Sequence, residues 1–422
     1  MPLPSPNPEF PTDPALIRGL TQSRMTRRAA LRLLGAAGGA ALLAGCGIGS
    51  QGSKANTGKD AIASFWAKQK KNDTLNWANW PLYLDTSKGS QHPSLDLFEK
   101  QTGIHVTYSE AIQDYASWFA TVQPPLSQGQ YCGYDLGMVD NSIYFEKFHD
   151  LGFMIPLDQS RLTNFRKYAG QNYRDESFDP GNVFTIPWQA GFTGIGYNPK
   201  YTGRAITSWN DLLDPKFSGK IGMLGNNEDL PNAALQAIGV DPQKSTVADW
   251  HKAAAWLERQ KPLTRQYYGQ NYIQALATGD VWISMAYSGD IFQQNLSGSN
   301  LKYINPTEGA LLWSDNFAIL KYCKNPVGAM MLMDFYYQPE IAAMVTEYVN
   351  YITPVPSAQG IVKADARKAA KPSDRAYLDA VATSFATFPS ASVYANTSYY
   401  FTPKAGKQLN QWNSIFEAVY QS

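Results

Sequence analysis

Five short stretches of this sequence set carboxylates and aromatic rings side by side: Asn79-Trp80-Pro81-Leu82-Tyr83, Asp140-Asn141-Ser142, Asn226 to Asp229, Tyr287-Ser288-Gly289-Asp290 and Trp313-Ser314-Asp315. They lie at or near the ends of apolar runs that read as strands, such as Tyr134 to Val139 before Asp140 and Ile221 to Leu224 before the Asn226 group. Asp315 is the most telling of the acids. It sits inside an apolar strand pattern between Trp313 and Phe317, where an unpartnered carboxylate costs several kcal/mol, so a bound cation or a charged neighbour is required. Asp140, Asp229 and Asp290 each precede a helical pattern, and an Asp there is also a standard N-cap worth ~1 kcal/mol. Trp80, Tyr83, Tyr287, Trp313 and Tyr351 can each be read singly as core rings; together they would form walls.

The elements that must hold these groups alternate between the two periods. Thr74 to Trp80, Ile104 to Tyr108 and Val281 to Tyr287 read as strands; Ser94 to Thr102, Ile143 to Phe148, Gly328 to Tyr337 and Glu340 to Val349 read as helices. Val247, Trp250, Ala254 and Leu257 repeat at helical spacing behind a cap built from Thr246 and Asp249. Such alternation predicts α/β architecture with mostly parallel sheets, in which ligands sit at the carboxyl ends of strands. The run Met330-Met331-Leu332-Met333 is most simply helix core, a Met-based copper site being the alternative.

At 422 residues the chain is long enough for two lobes. Its 36 Lys and Arg against 35 Asp and Glu, with only 17% of residues charged, argue against a basic nucleic-acid binder and an acidic disordered chain. The first 45 residues read as an export signal, with Met25-Thr26-Arg27-Arg28, an apolar run from Leu33 to Ala44, and Leu43-Ala44-Gly45-Cys46. That run falls well short of the roughly 20 residues that span a bilayer. The paired arginines resemble a twin-arginine signal and Leu-Ala-Gly-Cys resembles a lipobox, which implies lipidation of Cys46. Removing residues 1–45 takes the formal charge from +1 to −2. Residues 46–73 read as a flexible tether. Of the other cysteines, Cys132 and Cys323, export permits a disulfide, and buried free thiols are the alternative.

Conventional catalytic signatures are missing. The sequence has no Gly-x-Ser-x-Gly, no Gly-x-x-x-x-Gly-Lys, no His-Glu-x-x-His and no Cys-x-x-Cys, and its four histidines lack ligand-like spacing. The expectation is a protein that is not an enzyme and carries no cofactor and no resident metal.

From Leu75 to the C-terminus the chain resembles the polyamine-binding (spermidine/putrescine) substrate-binding proteins of ABC importers. The shared phrases are Asn79-Trp80-x-x-Tyr83, Phe98-Glu99-Lys100-Gln101-Thr102-Gly103-Ile104-x-Val106, Tyr134-Asp135-Leu136, Ile186-Pro187-Trp188, Gly194-Ile195-Gly196-Tyr197-Asn198, Thr207-Ser208-Trp209-x-Asp211-Leu212, Ser288-Gly289-Asp290, and Pro306-x-Glu308-Gly309 with Trp313-x-Asp315. The resemblance implies a two-lobed periplasmic-binding-protein-like (type 2) α/β fold with two strand crossovers and an interlobe cleft. It places the crossovers near Ile186 to Gly196 and Trp313 to Phe317, with residues 74–190 and 316–360 in lobe 1 and 191–315 and 361–422 in lobe 2. It implies walls from Trp80 and Tyr83 and from Tyr287, Trp313 and Tyr351. Asp315 and Asp290 would form one ammonium seat and Asp140 or Asp229 another. Asn226 stands where some members carry an acid, and Asp140 where Ser is common.

A linear polyamine is a chain of methylenes punctuated by ammonium groups, so it needs spaced carboxylates with rings between them. The expected protein is a monomeric lipoprotein on the outer face of the cytoplasmic membrane that delivers polyamine to ABC importer permeases. The alternatives are another small solute, such as a thiamine-like cation, a chelated metal or a sugar, and an exported hydrolase using two of the carboxylates.

Overall fold

Among the described residues the alternating signals resolve into one continuous sheet of ten strands. In chain order these are β1 (Thr74–Ala78), β2 (His105–Ser109), β3 (Leu136–Asp140), β4 (Thr185–Tyr197), β5 (Ile221–Leu224), β6 (Thr264–Tyr268), β7 (Ile283–Tyr287), β8 (Lys302–Ile304), β9 (Ala310–Ile319) and β10 (Thr397–Tyr399). The computed structural model describes residues 57–420 apart from 88–90, 227, 270 and 405. The export signal, Cys46 and the start of the 46–73 stretch lie outside the described residues.

The strand order is β2-β1-β3-β9-β4-β7-β5-β6, with β10 beside β9 and β8 beside β4. The β2-β1-β3 group is parallel, as is β7-β5-β6, and each has its own apolar core. Trp77, Phe98, Phe148, Trp188 and Phe317 fill the first; Trp209, Leu235, Trp250, Trp256 and Ile283 fill the second. These are the two lobes. The strands β4 and β9 pass between them, lying antiparallel from Thr185–Ala318 to Thr193–Leu311, so the expected crossovers at Ile186 to Gly196 and Trp313 to Phe317 are these two strands. All thirteen residues of β4 are buried. At Pro187/Gln189 its register against β9 shifts. The extra residue, Trp188, turns into the first core against Trp77, at 5.5 Å between ring centroids, and Tyr336, at 4.8 Å.

Two expectations need correction. The stretch 46–73 is not tether throughout: Lys59–Trp66 is a helix, and Trp66 docks on the first core with its indole N–H donating to the Pro156 carbonyl at 2.8 Å. Nor does 361–422 pack wholly on lobe 2. Helices Ala358–Lys368 and Pro372–Thr383 place Val362, Ala366, Leu378 and Val381 in the first core, because they continue the helical layer begun by Pro339–Val349. The chain returns to lobe 2 with Tyr400 and with Trp412 and Phe416 of the helix Lys407–Tyr420.

Other local readings are borne out. Thr246 and Asp249 form a capping box on Val247–Gln260. Met330 and Met333 are core, whereas Met331 is exposed. Cys132 and Cys323 are half-buried free thiols.

Asp135 shows how the first lobe is fastened. Buried just before β3, it accepts the main-chain N–H of Asn76 at 2.8 Å, of Lys324 at 2.6 Å and of Asn325 at 3.1 Å, tying β1 to the turn that follows β9. Truncation would strand these donors at about 1–3 kcal/mol for a buried unsatisfied group. Asp135→Ala is expected to lower unfolding stability by about 3 kcal/mol in a denaturant titration; a loss under about 1 kcal/mol would show the clasp to be dispensable.

Candidate functional site

The two antiparallel contacts of β9 decide the geometry of the site. On one side Asp315 pairs with Asp140 at the end of β3; on the other it faces Gln189, and Trp313 faces Gly191. Directly paired residues on antiparallel strands lie ~4.5–5.5 Å apart at Cα with side chains on one face, where like charges repel. The Asp315 carboxylate is buried and accepts the Tyr83 hydroxyl at 2.8 Å and the Tyr115 hydroxyl at 2.6 Å. Burial nevertheless pushes its pKa up to about 6, against the lowering by those two donors. The Trp80 indole stands near enough to help, without forming a well-aligned hydrogen bond.

Asp140 is not the N-cap of the helix that follows. Ser142 caps Ile143–Asp150, and its hydroxyl also donates to Asp140 at 2.7 Å. The Asp140 carboxyl is held well above the ordinary carboxylate range, first by burial and then by the charge of Glu228 from the opposite lobe. Glu228 is itself pushed up to about 7 by burial and by neighbouring Asp229.

Asp229 and Asp290 are likewise released from capping. Asp229 accepts from Thr193 at 2.6 Å, Tyr400 at 2.6 Å, Asn226 at 2.7 Å and Tyr287 at 2.8 Å. Asp290, in the first turn of Ser288–Leu296, accepts the hydroxyls of Tyr272 and Tyr351, both at 2.7 Å. Hydroxyl and amide donors thus hold these two acids, while among the described residues Asp140 is held by Ser142 and Glu228 by its own main chain.

The rings form two connected rows. Tyr287 meets Trp313 edge-on at 5.8 Å, Trp313 meets Tyr351 at 5.4 Å and Tyr351 meets Tyr83 at 5.9 Å. The second row runs from Trp80 to Tyr115 at 5.0 Å and on to Tyr144, stacked at 5.6 Å. Two glycines seat the first row: a Cβ at Gly191 would lie 2.3 Å from the Trp313 ring, and one at Gly289 would lie 2.5 Å from the Tyr351 ring.

The structure therefore brings all nine expected residues, Trp80, Tyr83, Asp140, Asp229, Tyr287, Asp290, Trp313, Asp315 and Tyr351, to the junction of the lobes. It regroups the acids, however: the partner of Asp315 is Asp140, and Asp290 lies beyond the Tyr83–Tyr351 contact. Sequence reasoning missed Glu228, Tyr115, Tyr144, Tyr272 and Tyr400. The signal for Glu228 was its place in the Asn226 to Asp229 stretch; the others left none. Away from the junction, Glu146, His149 and Asp150 come within 4.8 Å of one another on one helical turn, with His149 stacked on Phe145.

Residues 133–380 match the family model described as bacterial extracellular solute-binding protein. The chain belongs to this family. Among solute-binding proteins, it is 28% identical over 295 residues to the spermidine/putrescine-binding periplasmic protein of Escherichia coli K12, covering 70% of this chain and 81% of that one. It is 30% identical to the putrescine-binding periplasmic protein SpuD of Pseudomonas aeruginosa, covering 68% and 79%. Among solved structures, the spermidine/putrescine substrate-binding protein PotD of Streptococcus pneumoniae superposes with a TM-score of 0.69 over 83% of this chain and 99% of that one, at 24% identity. This solute-binding protein shares that two-lobed fold.

The glycine seat gives a direct check. Gly191→Ala is expected to cost about 1–3 kcal/mol by overpacking against Trp313. In a denaturant double-mutant cycle, Trp313→Ala should remove most of that cost, whereas additive losses would contradict the seat.

Proposed function

We propose that this solute-binding protein captures a polyamine of the putrescine/spermidine class between its lobes and delivers it to the permease of an ABC importer, performing no reaction itself. The observation that carries the reading is the Asp140–Asp315 pair, two carboxylates in register on neighbouring strands and flanked by rings. Each carboxylate is held above its ordinary range by burial, so each gains from an ammonium that restores its charge. The rings cover methylenes between the seats, and their faces add ~0.5–2 kcal/mol near a cation. Tyr287 and Asp229, and Tyr351 and Asp290, supply the opposing walls. The relatives from Escherichia coli and Pseudomonas aeruginosa, a spermidine/putrescine-binding and a putrescine-binding protein, support the same class. In this reading the mature chain is a monomer anchored by lipid on Cys46 at the outer face of the cytoplasmic membrane.

Calorimetry with putrescine, spermidine, spermine, thiamine and maltose tests the ligand class: heat from polyamines is expected, and heat from thiamine or maltose alone rejects it. Asp315→Asn should weaken polyamine affinity at least tenfold, since it removes a charged hydrogen bond from a desolvated seat; unchanged affinity would remove Asp315 from the site.

The raised carboxyls also fix the sign of the pH dependence. An ammonium binds the carboxylate form, and Glu228 and Asp315 take up protons as pH falls through about 7 and then about 6. Polyamine affinity should therefore fall, by roughly tenfold per unit for each group once below its pKa. In the empty protein the sign is opposite: the folded state holds these protons more tightly than the unfolded chain, so their contribution to stability declines as pH rises from ~4 through 7. The rise in melting temperature on adding putrescine should thus be larger at pH 8 than at pH 5. An equal rise at both would contradict the assignment.

A further inference from the structure

The helix after Asp140 brings a cation of the protein's own to this site. On Ile143–Asp150, Tyr144 and Lys147 are three residues apart and share a face. The Lys147 ammonium stands 4.4 Å from the centroid of the Tyr144 ring and 5.5 Å from that of Phe119. Tyr144 stacks on Tyr115, whose hydroxyl donates to Asp315. The row of rings that begins at the Asp315 carboxylate therefore ends beneath an ammonium, as it would end beneath one belonging to a ligand.

Two acids at this end have few donors among the described residues. Asp229 is held by four hydroxyl and amide donors and Asp290 by two tyrosines. Asp315, like Asp290, is held by two tyrosines, which leaves Asp140 and Glu228 with the fewest donors among the described residues. Lys147 is half-buried and feels the charges of Glu228 and Asp140, which oppose the lowering of its pKa by burial. Lys147 supplies one positive charge that faces these two carboxylates. A triamine would add a further positive charge beside Lys147.

We propose that Lys147 is a resident ammonium at the Asp140–Glu228 end of the cleft and that it limits the ligand to a diamine. This rests on the polyamine reading above. A diamine places its ammonium groups on the seats that remain, whereas the third ammonium of a triamine meets a like charge in a poorly hydrated place. Neutralising Lys147 frees that position for it.

The test is calorimetric titration of the wild-type protein and of Lys147→Met with putrescine and with spermidine, at pH 7.5 and one ionic strength. The wild type is expected to prefer putrescine, and Lys147→Met to move the spermidine-to-putrescine affinity ratio at least tenfold toward spermidine. A smaller change, a change toward putrescine, or a wild type that already prefers spermidine overturns the role of Lys147 and leaves the polyamine reading standing. Heat from neither amine in the wild type overturns both. Lys147→Gln serves as a second neutral variant if thermal unfolding shows Lys147→Met to be misfolded, and the same tenfold criterion applies.

Discussion

A carboxylate opposite a carboxylate is an arrangement that two neighbouring strands ordinarily avoid, and here it lies where β3 meets β9. The architecture around it supplies what tolerates it. β9 must run antiparallel to β3 for Asp140 to come into register with Asp315, and it must cross from one lobe to the other for the pair to stand at the mouth between them. Tyr83 and Tyr115 offset part of the burial cost without cancelling the charge. What remains is a pair of buried carboxyls, both held above their ordinary range.

The tyrosines give the junction its second property. Tyr83, Tyr115, Tyr287 and Tyr351 each put a hydroxyl on an acid while their rings join the two rows, and Tyr272 and Tyr400 reach acids with their hydroxyls from the second core. A phenol is suited to this double use because its apolar body and its donor lie at opposite ends. Acids held by neutral donors keep their geometry without a ligand, so little rearrangement is needed when a cation arrives.

Much of this was legible in the sequence, for identifiable reasons. Asp315 declared itself as a charge inside an apolar strand, and the capping box at Thr246 and Asp249 follows from local chemistry. Glu228 did not stand out, because an acid at the start of a helix looks the same whether it serves the helix or a partner across a cleft. The helix Tyr115–Ser127 carries Pro124 and Pro125 in its last turn, which blurs the helical pattern and hid Tyr115. The placement of Ala358–Lys368 and Pro372–Thr383 depends on which neighbouring surface is uncovered, a tertiary fact that their own apolar stripes do not encode. Trp66 was misjudged because one aromatic in a polar stretch is a weak sign of docking until the groove it fills is known.

The register shift at Trp188 gives the crossover ribbon a place to bend, and Asp315 lies opposite the residue just past it. A group at a pivot travels least when the arms swing. Asp140 and Asp315 are carried by paired strands on one side of that pivot, whereas Glu228, Asp229, Tyr287 and Asp290 ride on the other arm. On the proposed polyamine reading the first seat is carried by one arm alone, and the second is presented by the other. That reading gives capture an order, in which one end of the solute is held by a single arm and the other end is met by the second.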